Sequence, residues 1–91
     1  MSKPVDRIAV ISTKFHDDLQ YWIESDRKIA VRVLDVMAAI LADPFEGIGR
    51  PEPLKFALAG LWSRRIRQEH RLVYRASADR IEFLQARYHY E

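Results

Sequence analysis

Glu52 is the acidic side chain that the sequence places best to act as a base. It lies between Pro51 and Pro53, and each proline ring restricts its own backbone and that of the residue before it. The two prolines therefore restrict the direction of the Glu52 carboxylate in a stretch that would otherwise be flexible. A carboxylate held in this way can accept a proton. The commoner alternative is a solvated loop carboxylate with no further role, and Glu52 alone does not separate the two.

His89 is the candidate acid. It stands in an Arg-Tyr-His-Tyr run at 87–90, and in a β-strand this alternation directs Arg87 and His89 to one face of the sheet and the two tyrosines to the other. A frayed polar chain end is the plainer interpretation. The other two histidines are expected to be a surface helix residue, His16, and a structural strand residue, His70.

Arg65 and Arg71 lie on the two sides of a predicted turn, and the pairing of the strands that this turn joins decides whether their side chains lie next to each other. If this turn contains three residues, 67–69, Arg65 lies directly opposite Arg71, whereas a two-residue turn would place them on opposite faces. We expect the three-residue turn, because only it collects the apolar residues of both strands on the other face: Trp62, Ile66, Leu72 and Tyr74. Arg64 then lies on the apolar side, and the sequence offers no reason for it.

A set of six side chains could converge on the open face of one sheet: Glu52, Lys55, Arg65, Arg71, Arg87 and His89. Together they supply a base, several cations and an acid. Cleavage of an RNA backbone by its own 2′-hydroxyl needs these groups, to take the hydroxyl proton, to stabilise the phosphorane charge and to protonate the departing 5′ oxygen. This chemistry requires no metal and no cofactor, and its use of the 2′-hydroxyl would restrict it to RNA.

The first half of the chain predicts a strand followed by two helices. A β-branched run at 7–11 indicates the strand, and Ser12 can cap a first helix whose apolar stripe ends near 24–26. A second helix is then capped by Ser25 or Asp26 and ends at Pro44. We expect these two helices to form an antiparallel hairpin with their apolar stripes facing inward.

The second half predicts a loop and a meander. Residues 44–60 hold three of the four prolines and all three glycines, which indicates a long stiffened loop, with a helical turn near 54–58. Three antiparallel strands follow at 61–66, 71–76 and 80–90. The fold class is therefore α+β, with the N-terminal strand and the antiparallel helix hairpin packed on a twisted antiparallel sheet. The helix pair covers one face of this sheet and the other face is open.

Composition limits what this chain can be. Its 91 residues suffice for a single domain, 1–91, with one modest core. Cysteine is absent, which excludes disulfides, thiolate metal sites and thiol catalysis and fits a reducing compartment. The apolar runs are short and the N-terminus has no apolar signal core, so we expect a cytoplasmic protein with neither a membrane span nor a secretion signal.

The net charge of +2 conceals an uneven distribution. Residues 1–44 hold six Lys and Arg against seven Asp and Glu, whereas residues 45–91 hold nine against six. Eight of those nine are arginine, and the guanidinium group is suited to bidentate contacts with phosphate. A nucleic-acid partner is one explanation for the basic half, and a solvated strand face is the other.

Four motifs in the second half of the chain resemble one family. They are PFEG-x-G-x-PEPLK at 44–55, G-x-WSRRI at 60–66, EHRLVY at 69–74 and RYHY at 87–90. In this order they closely resemble the YoeB/Txe toxins of the RelE/ParE superfamily, and Tyr21-Trp22 with Asp26 extends the resemblance over nearly the whole chain. The fold that this resemblance implies is the RelE-like microbial RNase fold.

The resemblance also implies a function. It is that of a type II toxin that cleaves messenger RNA in the ribosomal decoding site and is held inactive by a YefM/Phd-type antitoxin. The family's general base falls on Glu52 and its general acid on His89. Its phosphate-binding and transition-state residues fall on Lys55, Arg65 and Arg71. Tyr90, beside the acid, and Arg87 complete the residues expected to contact RNA.

Two other functions stay open at this point. ParE-like members of the superfamily share this architecture but poison DNA gyrase by binding, without RNase chemistry, and they are not expected to keep the Glu52 and His89 pair. A non-catalytic module that binds RNA or antitoxin is the third possibility. The sequence also leaves open whether the chain forms a homodimer.

Overall fold

The computed structural model describes residues 7–55 and 60–88. Its elements in chain order are β1 (Ile8–Ile11), α1 (Thr13–Ser25), α2 (Arg27–Ala42), β2 (Glu52–Pro53), β3 (Leu61–Arg67), β4 (His70–Ala76) and β5 (Arg80–Gln85). The five strands form one sheet in the order β1-β5-β4-β3-β2. The predicted α+β class is confirmed; β1 pairs with β5 in parallel, and the other strand pairs are antiparallel.

The helix boundaries follow the predicted caps. Ser12 Oγ accepts the backbone N–H of Phe15 at 3.0 Å and donates to the carbonyl of Leu84 at 2.9 Å, so it begins α1 and ties that helix to β5. Asp26 caps α2 by accepting the backbone N–H groups of Lys28 and Ile29. The second helix ends at Ala42, just before Pro44. No helix within 7–55 and 60–88 is long and apolar enough to cross a bilayer.

The core lies between the inward faces of the two helices and the facing side of the sheet. Fully buried side chains from every layer contribute to it: Phe15, Val33, Val36, Ile40, Leu72, Tyr74, Ile81 and Phe83. This packing holds the helices on one face of the sheet. The predicted open face is only partly open, because Leu61, Ser63 and Val73 on it are buried while Arg65 is exposed.

The β3–β4 hairpin confirms the predicted arginine pair but not the predicted turn. Arg65 lies directly opposite Arg71, and Arg67 pairs with His70, so the turn holds two residues instead of three. A shift of register between Arg65 and Arg67 accounts for the difference. Such a bulge adds one residue to one strand, which turns the following side chains to the other face. Our expectation assumed an unbroken ladder and was wrong on this point.

Two other strand predictions need correction. The last strand ends at Gln85 instead of continuing to residue 90, and the chain bends at 87–88, where Tyr88 has φ +59°. In the loop, Glu52 and Pro53 form β2 against β3, and neither Leu54 nor Lys55 is helical. The rest of the predicted helical turn, 56–58, lies outside the described residues.

Arg64 is fully buried on the core side of β3, and its partners explain its position. Its Nη1 donates to the carbonyl of Ile48 at 3.2 Å, and its Nη2 donates to the carbonyls of Asp43 and Glu46. Its Nε donates to the Tyr74 hydroxyl at 3.3 Å. The guanidinium therefore replaces its lost hydration with carbonyls of the segment that follows α2.

The loop at 43–50 is shaped to fit this cation. Tyr74 donates its hydroxyl to the carbonyl of Pro44 at 2.6 Å. Gly47 has φ +132°, and a Cβ there would lie 2.9 Å from Nη1 of Arg64, so a side chain at this position would be both strained and in collision. The carbonyl of Gly49 accepts the backbone N–H of Arg65. The loop thus lies along β3 and enters β2 in a set register.

We expect Arg64→Leu to lower the free energy of unfolding by about 3 kcal/mol or more, because the carbonyls around the guanidinium and the Tyr74 hydroxyl would lose their charged donor. Arg65→Leu is the matched control, since its side chain is exposed on the same strand, and its effect should stay within about 0.5 kcal/mol. Urea unfolding followed by circular dichroism gives both values. Equal effects of the two substitutions would contradict this account of Arg64.

Tyr74 should make stability depend on alkaline pH. Burial raises the pKa of Tyr74 above 10, and the hydrogen bond and charge of Arg64 oppose that rise only in part. The unfolded chain then releases the phenol proton first, so the stability that Tyr74 contributes is complete below pH 10 and is lost as the pH rises through the folded pKa. The free energy of unfolding should therefore fall faster above pH 10 in the wild type than in Tyr74→Phe, by at most about 1.4 kcal/mol per pH unit. Parallel curves would contradict the prediction.

Candidate functional site

Glu52 lies in β2, at the edge of the sheet. It pairs with Ser63 and Pro53 pairs with Trp62, while the backbone N–H of Leu54 donates to the carbonyl of Leu61 at 2.8 Å. Proline is tolerated on an edge strand because its missing N–H need not join a ladder. The two prolines around Glu52 therefore stiffen this short strand without disrupting the sheet, and they direct the carboxylate to a defined face.

Glu52, Arg65 and Arg71 share that face. Residues directly opposite one another in a sheet point to the same side, so Glu52 and Ser63 form one row, and the arginine pair forms the neighbouring row two residues along β3. The carboxylate reaches across β3, and its Oε2 lies 3.9 Å from Nη1 of Arg71. Ser63 opposite Glu52 has a small side chain, which leaves room for this approach.

The ion pair between Glu52 and Arg71 is open to solvent. The side chain of Glu52 is 54% exposed and that of Arg71 is 22% exposed. A pair this long and this accessible contributes little to stability. The pair matters because of where its groups lie. The carboxylate and the guanidinium face the same accessible surface, and a second guanidinium, that of Arg65, lies beside them.

Lys55 and Arg87 are less closely tied to this face. Lys55 is exposed beyond the end of β2, so the strand register does not settle its direction. The guanidinium of Arg87 lies 3.6 Å from the ring centroid of Tyr21 on α1 and 5.1 Å from that of Tyr88. Since β5 ends before Arg87, the predicted alternation does not apply to it; this stack on Tyr21 determines its position instead, and its RNA-binding role stays a prediction.

His89 and Tyr90 lie outside the described residues, but the chain that leads to them is held in place. Asp18 and Trp22 are one turn apart on α1, and they bind both backbone groups of Ala86. Asp18 Oδ2 accepts its N–H at 2.9 Å, and Trp22 Nε1 donates to its carbonyl at 2.8 Å. Lys14 pairs with the other carboxylate oxygen of Asp18 at 2.8 Å.

Tyr88, two residues after Ala86, is also bound through both its backbone N–H and its carbonyl. The backbone N–H of Tyr88 donates to Nδ1 of His70 at 3.0 Å, and the carbonyl of Tyr88 accepts the N–H of Arg71 at 3.2 Å. We call these four residues, Asp18, Trp22, His70 and Arg71, the C-terminal clamp. The structural role predicted for His70 is confirmed, and this histidine helps to bring the C-terminal segment beside β4.

Half of this clamp has a signal in the sequence that was not among the predicted features. Asp18 is three residues after Phe15 and four before Trp22, which puts a carboxylate within the inward apolar stripe of α1, and it is 4% exposed. An acid in such a stripe requires a buried donor. The pattern could have indicated that a donor exists, but not that the donor is the backbone of Ala86.

The described geometry joins a carboxylate, two guanidinium groups and an anchored C-terminal segment. Within 7–55 and 60–88, no three His, Asp or Glu side chains lie close enough together to hold a metal ion. Residues 7–90 match the family model described as the YoeB-like toxin of bacterial type II toxin-antitoxin systems. The chain belongs to this family of toxins. The resemblance inferred from the four motifs is thereby confirmed.

Relatives and solved structures agree with this assignment. The chain is 54% identical over 74 residues to Toxin YoeB of Mycobacterium bovis, which covers 81% of this chain and 87% of the relative. The YoeB dimer of Staphylococcus aureus is similar with a TM-score of 0.85 at 34% identity, over 94% of this chain and 100% of that one. The toxin in the YoeB-YefM complex of the same species has a TM-score of 0.82 at 34% identity, over 92% and 98% of the two chains.

Proposed function

We propose that this YoeB-family toxin is an endoribonuclease, an mRNA interferase that cuts messenger RNA in the ribosomal decoding site and so inhibits translation. The observation that supports this most directly is the shared face of Glu52, Arg65 and Arg71, with the carboxylate 3.9 Å from the Arg71 guanidinium. A base next to two phosphate-binding cations is the arrangement that attack by a 2′-hydroxyl on its own phosphodiester requires.

In this proposal Glu52 removes the proton of the 2′-hydroxyl, and the resulting oxygen attacks the neighbouring phosphorus. Arg65 and Arg71 stabilise the negative charge on the phosphorane. The bond from phosphorus to the 5′ oxygen then breaks, and His89 donates the proton that this leaving oxygen needs. The products are an upstream fragment with a 2′,3′-cyclic phosphate and a downstream fragment with a 5′-hydroxyl, and no metal takes part.

The remaining site residues and the ribosome serve substrate positioning. Lys55, Arg87 and Tyr90 are proposed to contact the RNA. A face with so few cations binds polyanions weakly and with little selectivity. The ribosome is therefore proposed to hold the message in register, so that the scissile phosphate meets the arginine pair.

We also propose that a YefM/Phd-type antitoxin inhibits the protein, as a partner of this kind is present in the staphylococcal complex. A surface that recognises phosphate through guanidinium groups also attracts carboxylates. An acidic antitoxin segment would therefore cover or disrupt the face that carries Arg65 and Arg71. A homodimer is a second proposed assembly, since a similar toxin forms one.

Glu52→Gln and His89→Gln should each lower the single-turnover rate of cleavage on programmed ribosomes by about 10²–10⁴-fold, the usual contribution of a positioned acid or base. Arg71→Ala should also slow cleavage, because about 3 kcal/mol of transition-state stabilisation is lost with the guanidinium. Arg75→Ala is the matched control, because this exposed arginine of β4 pairs with Glu82 at 3.6 Å and is expected to leave the rate unchanged. Ribosome binding should survive all four substitutions.

The ends of the products test the reaction itself. A 2′,3′-cyclic phosphate or a 3′-phosphate on the upstream fragment agrees with attack by the 2′-hydroxyl, whereas a 3′-hydroxyl would mean that water attacked and would overturn the scheme. A gyrase supercoiling assay run in parallel addresses the alternative of a gyrase-binding toxin without RNase activity. Inhibition of gyrase together with intact ribosome-bound message would favour that alternative.

Antitoxin inhibition should depend on charge. Cleavage should be abolished in the purified toxin-antitoxin complex and should return when the antitoxin is removed, because the acidic segment competes with the RNA phosphates for the arginine pair. Addition of salt should weaken this inhibition if the contact is largely electrostatic. A complex that retains full cleavage of messenger RNA would disprove the proposed mode of inhibition.

A further inference from the structure

We propose that His70 is a positioning residue: its unprotonated Nδ1 holds the Tyr88 peptide and thereby sets the point from which the chain continues to the general acid His89. This inference rests on the proposed function, because it concerns the delivery of the acid. His89 itself lies outside the described residues. The contacts of His70 and of the chain up to Tyr88 are what support the proposal.

The first observation is that consecutive residues of β4 hold a single residue from both sides. The N–H of Tyr88 donates to Nδ1 of His70 at 3.0 Å, and the carbonyl of Tyr88 accepts the N–H of Arg71 at 3.2 Å. The side chain of Arg71 belongs to the candidate site. One hairpin strand thus supplies both a phosphate-binding cation and the anchor for the chain that leads to the acid.

The second observation is that the bend at Tyr88 needs such an anchor. Tyr88 has φ +59°, a left-handed conformation that is uncommon for residues with a side chain. β5 ends three residues earlier, so its ladder does not hold the chain here. The side chain of Tyr88 is exposed, and the contacts at the bend are its two backbone hydrogen bonds and the contacts of its ring with His70 and with the Arg87 guanidinium.

The third observation concerns the protonation state of His70. A backbone N–H can only donate, so Nδ1 must carry a lone pair and the imidazole proton must be on Nε2. Nε2 lies 3.5 Å from Oε1 of Glu69. Protonation of Nδ1 would turn two donors toward each other and break the bond to Tyr88.

The surroundings of His70 combine two aromatic contacts with a small set of charges on the described segments. Its ring is in edge contact with Trp22 of α1 at 4.7 Å and in contact with Tyr88 at 4.8 Å. The neighbouring segments carry several charged groups: Glu69 of the turn, Arg71 of β4, Asp18 of α1, Arg87 beside Tyr88, and Arg67 opposite on β3, which pairs with Asp26 at 3.8 Å. Of these, Glu69 approaches the imidazole directly.

Two substitutions separate positioning from packing. His70→Asn keeps an acceptor near the place of Nδ1 but loses most of the ring. His70→Phe keeps a ring against Trp22 and Tyr88 but has no acceptor. If His70 acts only by packing, the Phe variant should be the more active of the two; if it acts by holding Tyr88, the Asn variant should be.

The rates are measured in single turnover, with full-length toxin saturated by programmed ribosomes. A displacement of about 1 Å in a reacting group can cost about 10²-fold. We therefore expect His70→Phe to slow cleavage by about 10–100-fold with unchanged ribosome affinity, and His70→Asn to stay within about threefold of the wild type. Thermal melting should show the opposite order, with His70→Asn the less stable variant.

Nuclear magnetic resonance of the free toxin tests the contact without any activity. The wild type should show an unprotonated Nδ1 on His70 and a protected Tyr88 amide, and protection should be kept in the Asn variant and lost in the Phe variant. A protonated Nδ1, or a Phe variant that cleaves as fast as the wild type, would overturn the inference. A wild-type toxin that cleaves no message would overturn the proposed function instead, and the resonance measurements would still decide whether His70 holds Tyr88.

Discussion

The burial of the Arg64 guanidinium is the constraint on which much of this structure depends. A cation without hydration is tolerated only when its donors are satisfied, and the carbonyls of Asp43, Ile48 and Glu46 supply that need. The loop after α2 therefore wraps around the guanidinium on its way to β2. The register of Glu52 opposite Ser63 is a consequence of this wrapping, so a core residue decides where the proposed base lies.

A second set of contacts holds the C-terminal segment that leads to the proposed acid. Asp18 and Trp22 of α1 bind Ala86, and His70 and Arg71 bind Tyr88, so the C-terminal segment is attached to both the helix layer and the sheet. The β3–β4 hairpin is the common support, because it carries the arginine pair, the partner of β2 and half of the clamp. The proposed base and the two arginines thus lie on neighbouring strands, and the C-terminal segment is bound to the same rigid hairpin.

The fold class, both helix caps and the pairing of Arg65 with Arg71 were predictable from the sequence, whereas the turn between those arginines and the end of the last strand were not. The sequence pattern cannot reveal the bulge. An extra residue in β3 and an extra residue in the turn both leave Arg65 opposite Arg71, so the apolar alternation is the same in the two cases. The end at Gln85 was not predictable, because the residues after it alternate like a strand. Their backbone groups bond to the side chains of Asp18, Trp22 and His70 and to the backbone of Arg71, and they continue no ladder.

What the sequence determined by itself is local or chemical: the caps of Ser12 and Asp26 act on backbone groups within three residues, the apolar periodicity orders the helices, and the four motifs name the family. What only the tertiary structure decided is which distant groups satisfy the buried polar side chains. Arg64 finds Asp43 at a separation of 21 residues, and Asp18 finds Ala86 at a separation of 68. Periodicity shows that such a side chain turns inward, but its partner is whichever unsatisfied backbone group the completed packing brings within hydrogen-bond distance.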